Sequence, residues 1–190
     1  MAKSHYDWEG GPAEIDPHSV TKHEVLVGYL IRYFEQRTLN ARGRERLRIT
    51  LVDGFCGGGL YTLKGQAKEV LGSPLRMLNA VEEARVRINA KRTKPIELDV
   101  QYVFIDKDLR ALSHLKMVLQ NRGFGHLIGS AIYIIHEDFL SASSAVFKLI
   151  QAHTPRARTA IYFLDQYGYS EVPAPLIRQI FANSPGSEVV

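Results

Sequence analysis

Acidic residues stand at the ends of four short apolar runs, and the first is followed at once by glycines, as Asp53-Gly54-Phe55-Cys56-Gly57-Gly58-Gly59. The others are Asp106 after Tyr102-Val103-Phe104-Ile105, Glu137-Asp138 after Ile132-Tyr133-Ile134-Ile135-His136, and Asp165 after Ala160 to Leu164, with Gln166, Tyr167 and Gly168 following. Glycines let a backbone turn sharply and approach a ligand that side chains would block. No Lys-Ser or Lys-Thr follows them, so a phosphate-cradling loop is disfavoured. Thr62 stands where a dinucleotide fingerprint needs its third glycine, and Asp106 lies about fifty residues on rather than about twenty. A pyrophosphate ligand is disfavoured in turn. An acid placed before glycines suits a cationic ligand instead.

Each acid also has a purely structural explanation. Asp53 fits a residue that caps its own glycine turn. Asp106 and Asp138 stand where Asp commonly caps a following helix. Asp165 beside Tyr167 fits a turn acid with a packing aromatic. The seven histidines show no ligand spacing of the His-Glu-x-x-His kind, so no metal site is expected. Cys56, the single cysteine, excludes an internal disulfide and reads as a small residue within the turn. Lys22 and His23 either reach over a ligand from the helix ahead of the first strand or form a solvated helix start.

The elements that must position these groups follow from periodicity. Residues 1–17 carry no period and read as an irregular lead-in, so that residues 18–190 form the domain. Val20, Val25, Leu26, Tyr29, Leu30, Tyr33 and Phe34 recur at three and four residues, which predicts an amphipathic helix from Ser19 to near Arg37. Strand and helix then alternate. The expected strands are Ile49–Asp53, Val100–Ile105, Ile132–His136 and Ala160–Leu164. The expected helices are Ser73–Asn89, Leu109–Gln120, Ser141–Gln151 and Pro175–Ala182, and Glu188-Val189-Val190 looks like a fifth strand beginning. Such alternation predicts an α/β fold, a Rossmann-like doubly wound parallel sheet, with ligands at the carboxyl ends of the strands. Ending at a fifth strand, the sequence reads as truncated there, the N-terminal part of a longer protein.

At 190 residues, 45% apolar and 23% charged, the composition is that of one ordinary globular domain. No apolar run is long enough to span a bilayer and nothing reads as a signal peptide, so the expectation is a cytoplasmic protein with no membrane segment. The formal net charge of +4 is concentrated locally. Arg42, Arg44, Arg46 and Arg48 precede one strand, and Arg85, Arg87, Lys91, Arg92 and Lys94 precede another. These clusters either meet nucleic-acid phosphates or are solvated helix ends and loops.

The glycine turn resembles the acid-x-Phe-x-Gly-x-Gly first motif of class I methyltransferases. The resemblance implies S-adenosylmethionine as the cofactor, with Asp53, Gly54, Phe55, Gly57 and Gly59 lining its site. It also implies that Asp106 binds the ribose hydroxyls, that Asp138 and Phe139 contact adenine, and that Asp165 opens the motif bordering the substrate. Tyr167 there is suited to stacking on a flat substrate, with Asp165 beside it as the catalytic residue that orients or deprotonates the acceptor. More narrowly, the stretches DPHSVTKHEVLVGYLIRYF (16–34), VDGFCGGGLY (52–61), LGSPLRML (71–78) and FLDQYGYSEVP (163–173) resemble the three-Cys-motif partner protein family. Cys56-Gly57-Gly58-Gly59 stands where that family usually has Ala-Gly-Pro-Gly, and Asp165-Gln166 where it usually has Asp-Pro. The resemblance thus implies a methyltransferase acting on a nucleic acid or protein. The alternative is a non-catalytic module that keeps the fold and binds a protein partner or nucleic acid.

Overall fold

A computed structural model of the chain describes residues 6–39, 45–165 and 171–190. In chain order its elements are β1 (Glu14–Ile15), α1 (Pro17–Leu39), β2 (Arg46–Asp53), β3 (Leu60–Leu63), β4 (Glu69–Leu71), α2 (Ser73–Asn89), β5 (Glu97–Asp106), α3 (Leu109–Asn121), β6 (Ile132–His136), α4 (Phe139–His153), β7 (Ala160–Phe163), α5 (Ala174–Asn183) and β8 (Glu188–Val189). Five strands form one parallel sheet in the order β6-β5-β2-β7-β8. The arrangement is a Rossmann-like α/β fold: the order reverses at β2, with β5 on one side and β7 on the other.

Both faces of the sheet are covered, which is why its strands read as continuous rather than alternating apolar runs. On one face Leu51, Phe104 and Phe163 pack with Leu26, Leu30 and Phe34 of α1, Leu78 and Val81 of α2, and Leu115 of α3. On the other, Val52, Ile105 and Tyr162 pack with Phe139 and Val146 of α4 and Leu176 and Ile180 of α5. Successive strand residues thus serve opposite cores.

Helix boundaries follow capping chemistry. Helix α1 starts at Pro17, two residues before the expected Ser19, because proline at the first helical position lacks a donor that the helix would not use. Asp108 caps α3 by accepting from the Arg110 amide, and Asp138 caps α4 by accepting from the Ser141 amide.

Two features departed from the sequence reading. After Gly59 the chain forms the antiparallel pair β3–β4 before entering α2. The lead-in, expected to be irregular, contributes β1, which pairs in parallel with β3. None of these three strands exceeds four residues, too short for a visible period.

Among the described basic residues, several are matched to acids. Arg46 lies in register with Glu97 and its Nε is 2.7 Å from that carboxylate, and Arg48 Nε is 2.8 Å from Asp99. Arg85 pairs with Glu82, and Arg87 with Glu83. Arg42 and Arg44 lie outside the described residues. No helix among the described residues is long and apolar enough to cross a membrane.

Candidate functional site

Strand β2 delivers Asp53 to the centre of the sheet, in register with Phe104 of β5 and Phe163 of β7. The ladders run on into the turn. The Gly54 amide donates to the Phe163 carbonyl at 3.0 Å and the Cys56 amide to the Ile105 carbonyl at 2.9 Å. These bonds pin the glycine turn between the two neighbouring strands, and the Gly59 carbonyl accepts from the Gly72 amide at 2.8 Å where α2 begins.

Asp53 is completely buried. Its Oδ1 accepts from the Phe55 amide at 3.2 Å, the self-capping turn that its residue type allows, while Oδ2 meets no hydrogen-bond partner by distance and angle among the described residues. Burial pushes its pKa up to about 7, against the Ser73 hydroxyl and the Phe55 amide and with help from the charges of Asp106 and Asp165. A buried carboxylate with an unpaired oxygen is costly unless something cationic or donating reaches its surroundings.

Asp106, at the end of β5, does not cap α3, since Asp108 does that. Instead its Oδ2 accepts from the Gly57 amide at 2.9 Å and its Oδ1 from the Asp108 amide at 2.8 Å. Burial outweighs both bonds and raises its pKa. Gly57 sits at φ +58°, and a Cβ there would lie 2.0 Å from the Tyr61 hydroxyl, so glycine is required by backbone and by space.

Asp165 lies two residues beyond β7. Its Oδ1 is 2.7 Å from Lys22 Nζ of α1. The two residues line an open recess of about 290 Å³ together with Val25, Leu26, Phe163, Leu164 and Val190. Next along α1, His23 is buried, its Nδ1 has no hydrogen-bond partner among the described residues, and its pKa falls to about 4 through burial and then the charge of Arg76.

The fold therefore brings Asp53, the glycine turn, Asp106 and Asp165 together at the switch in strand order. Phe55 is half-buried and lies 6.3 Å, ring to ring, from Phe139. Phe139 itself is buried in the core against Tyr162. Asp138 is exposed at the start of α4, where hydrogen bonds from the Ser141 hydroxyl and amide hold its carboxyl below the usual range. Tyr167, Gln166 and Gly168 lie outside the described residues.

Sequence reasoning missed the aromatic group beside the turn. Trp8 and Tyr61 are buried there, with ring centroids 5.1 Å apart, and the His114 ring lies 5.1 Å from Trp8. Trp8 belongs to a stretch without period, so no local signal marks it.

No protein-family model matches the chain, and no curated protein matches it either. Among solved structures the chain is similar in fold to protein LPL1258 from Legionella pneumophila, of the family model DUF519. The TM-score is 0.53 at 14% identity over 90% of this chain. The match spans 66% of the length of that protein, just under two thirds. At this identity the likeness is one of fold.

Proposed function

We propose that the chain is an S-adenosylmethionine-binding domain of the class I methyltransferase kind, related to the three-Cys-motif partner proteins. The observation that carries the reading is the convergence of three strand-end acids, Asp53, Asp106 and Asp165, around a glycine turn at the point where strand order reverses. The residues suit that ligand: the buried, half-satisfied Asp53 carboxylate favours a positive charge nearby, and Asp106 has lone pairs left for hydroxyl donors. When bound, S-adenosylmethionine supplies an electrophilic methyl group on a sulfonium.

In this reading the chain's own work is positioning. Gly54, Gly57 and Gly59 hold the turn, Asp106 fixes it to β5, and Asp165 orients or deprotonates an acceptor on a nucleic acid or a protein. The setting is cytoplasmic. Calorimetric titration of the folded chain with S-adenosylmethionine or S-adenosylhomocysteine tests the reading, and absence of binding at millimolar ligand rejects it.

One observation favours a second reading, a non-catalytic module that keeps the cofactor pocket and serves a protein or nucleic-acid partner. Lys22 already occupies Asp165 Oδ1. Cofactor binding without transfer to any acceptor would select it.

A further inference from the structure

The recess lined by Lys22 and Asp165 adjoins the glycine turn. Leu164, which also lines it, touches the start of that turn, since a Cβ on Gly54 would lie 2.7 Å from the Leu164 side chain. The Gly54 amide donates to the carbonyl of Phe163, another lining residue, at 3.0 Å. The charge of Asp165 is in turn felt by the Asp53 carboxyl. Recess and turn are therefore parts of one region at the end of β7.

An amine already sits on the carboxylate that the reading above assigns to the methyl acceptor. It is the Lys22 Nζ of the chain itself, 2.7 Å from Asp165 Oδ1. Helix α1 packs on the sheet through Leu26, Leu30 and Phe34, so the backbone of Lys22 is fixed while its four-carbon stem can swing within the open recess. Both side chains of the pair remain partly exposed. Only an uncharged amine has a lone pair to give, and contact with water lets the ammonium proton leave.

Resting on the S-adenosylmethionine reading above, we propose that Lys22 is a methyl acceptor, its Nζ taking the methyl group from cofactor bound to the same chain. The Lys22 ammonium first releases a proton to water. The amine lone pair then forms the N–C bond as the C–S bond breaks, and sulfur keeps the electron pair of the broken bond in S-adenosylhomocysteine. The positive charge passes to a methylammonium, which pairs again with Asp165. Asp165 holds the nitrogen throughout, and the gain is one of positioning.

The full chain is incubated with S-adenosylmethionine carrying a deuterated methyl group and mapped by peptide mass spectrometry. Calorimetry measures S-adenosylmethionine and S-adenosylhomocysteine binding to wild type and Lys22→Ala. The expected result is label on Lys22, at a rate per molecule independent of protein concentration and about a hundredfold slower in Asp165→Asn and in urea-unfolded chain. An ammonium near a sulfonium repels it, so Lys22→Ala should shift the affinity ratio toward S-adenosylmethionine over S-adenosylhomocysteine by about threefold to tenfold. Binding without label on Lys22 overturns the proposal and leaves the cofactor reading standing. So does equally fast label in unfolded chain or in Asp165→Asn, a rate that rises with protein concentration, or an unchanged affinity ratio in Lys22→Ala. No binding by wild type overturns both. If Asp165→Asn does not fold, the unfolded chain and the affinity ratio decide.

Discussion

Lys22 Nζ lies 2.7 Å from Asp165 Oδ1, joining the first helix to the end of the fourth strand of the main sheet beside an apolar recess that both residues line. Both side chains remain partly exposed, at 44% and 24%. A pair in that setting contributes under about 1 kcal/mol. Lys22→Ala should therefore melt within about 4 °C of wild type in a thermal unfolding scan. A much larger loss would mean that the pair anchors α1 to the sheet, and its role would then be structural.

Asp53 gives a pH dependence with a definite sign. Its folded pKa of about 7 lies above the ordinary carboxylate value of about 4. The folded protein keeps a proton there that the unfolded chain has released, so this group's contribution to stability is complete below about pH 4 and is lost as pH rises through about 7. Asp53→Asn should gain melting temperature relative to wild type on going from pH 5 to pH 8. A gain that is the same at both values would refute the assignment.

A cationic ligand near Asp53 favours its ionised form, so binding should release protons around neutral pH. Calorimetry in buffers of differing ionisation enthalpy measures that release directly. Affinity should rise from pH 6 to pH 8, and a flat profile would place the ligand's charge elsewhere.

Removing Asp106 tests the ribose contact. Hydrogen bonds to a charged group are worth on the order of 1.5 to 3 kcal/mol, so Asp106→Ala should weaken S-adenosylhomocysteine binding roughly tenfold to a hundredfold. The same change frees the Gly57 and Asp108 amides, so some loss of melting temperature accompanies it. Unchanged affinity in folded protein would remove Asp106 from the site.

Asp99 shows the opposite linkage. Burial alone would raise its pKa, but hydrogen bonds from His153 and Arg48, with their charges, hold the carboxyl below the usual range. That stability is present above about pH 4 and fades as pH falls through the lower folded value. Asp99→Asn should lower the melting temperature at pH 7 and have little effect near pH 2, as thermal scans at the two values would show.

Elements long enough to express a period were legible in the sequence. Helix α2 and strand β6 have the expected limits, Ser73–Asn89 and Ile132–His136. The strands β2 and β5 extend further toward their starts than expected, because Arg46 and Arg48 pair with Glu97 and Asp99 across the ladder. A strand that is polar at its beginning hides its register partners from one-dimensional reading. Strand-end acids were legible for the same reason as the strands, since each apolar run must stop where it meets solvent or a ligand.

What only tertiary structure decided is how each acid is used. Asp53 and Asp106 differ little in sequence context, yet one is buried with an unpaired oxygen while the other accepts two backbone amides. Asp138 caps a helix and Phe139 joins the core. The partner of Asp165 lies 143 residues away on α1, and the partner of Gly58 is Trp8, in a stretch with no periodic signal. Residue type and spacing record which local conformations a chain can adopt, whereas burial and long-range contact depend on how separate elements pack. For that reason strand ends and the glycine turn were readable from the sequence, and the packing of Trp8 on Gly58, the ion pair and the state of each carboxylate were not.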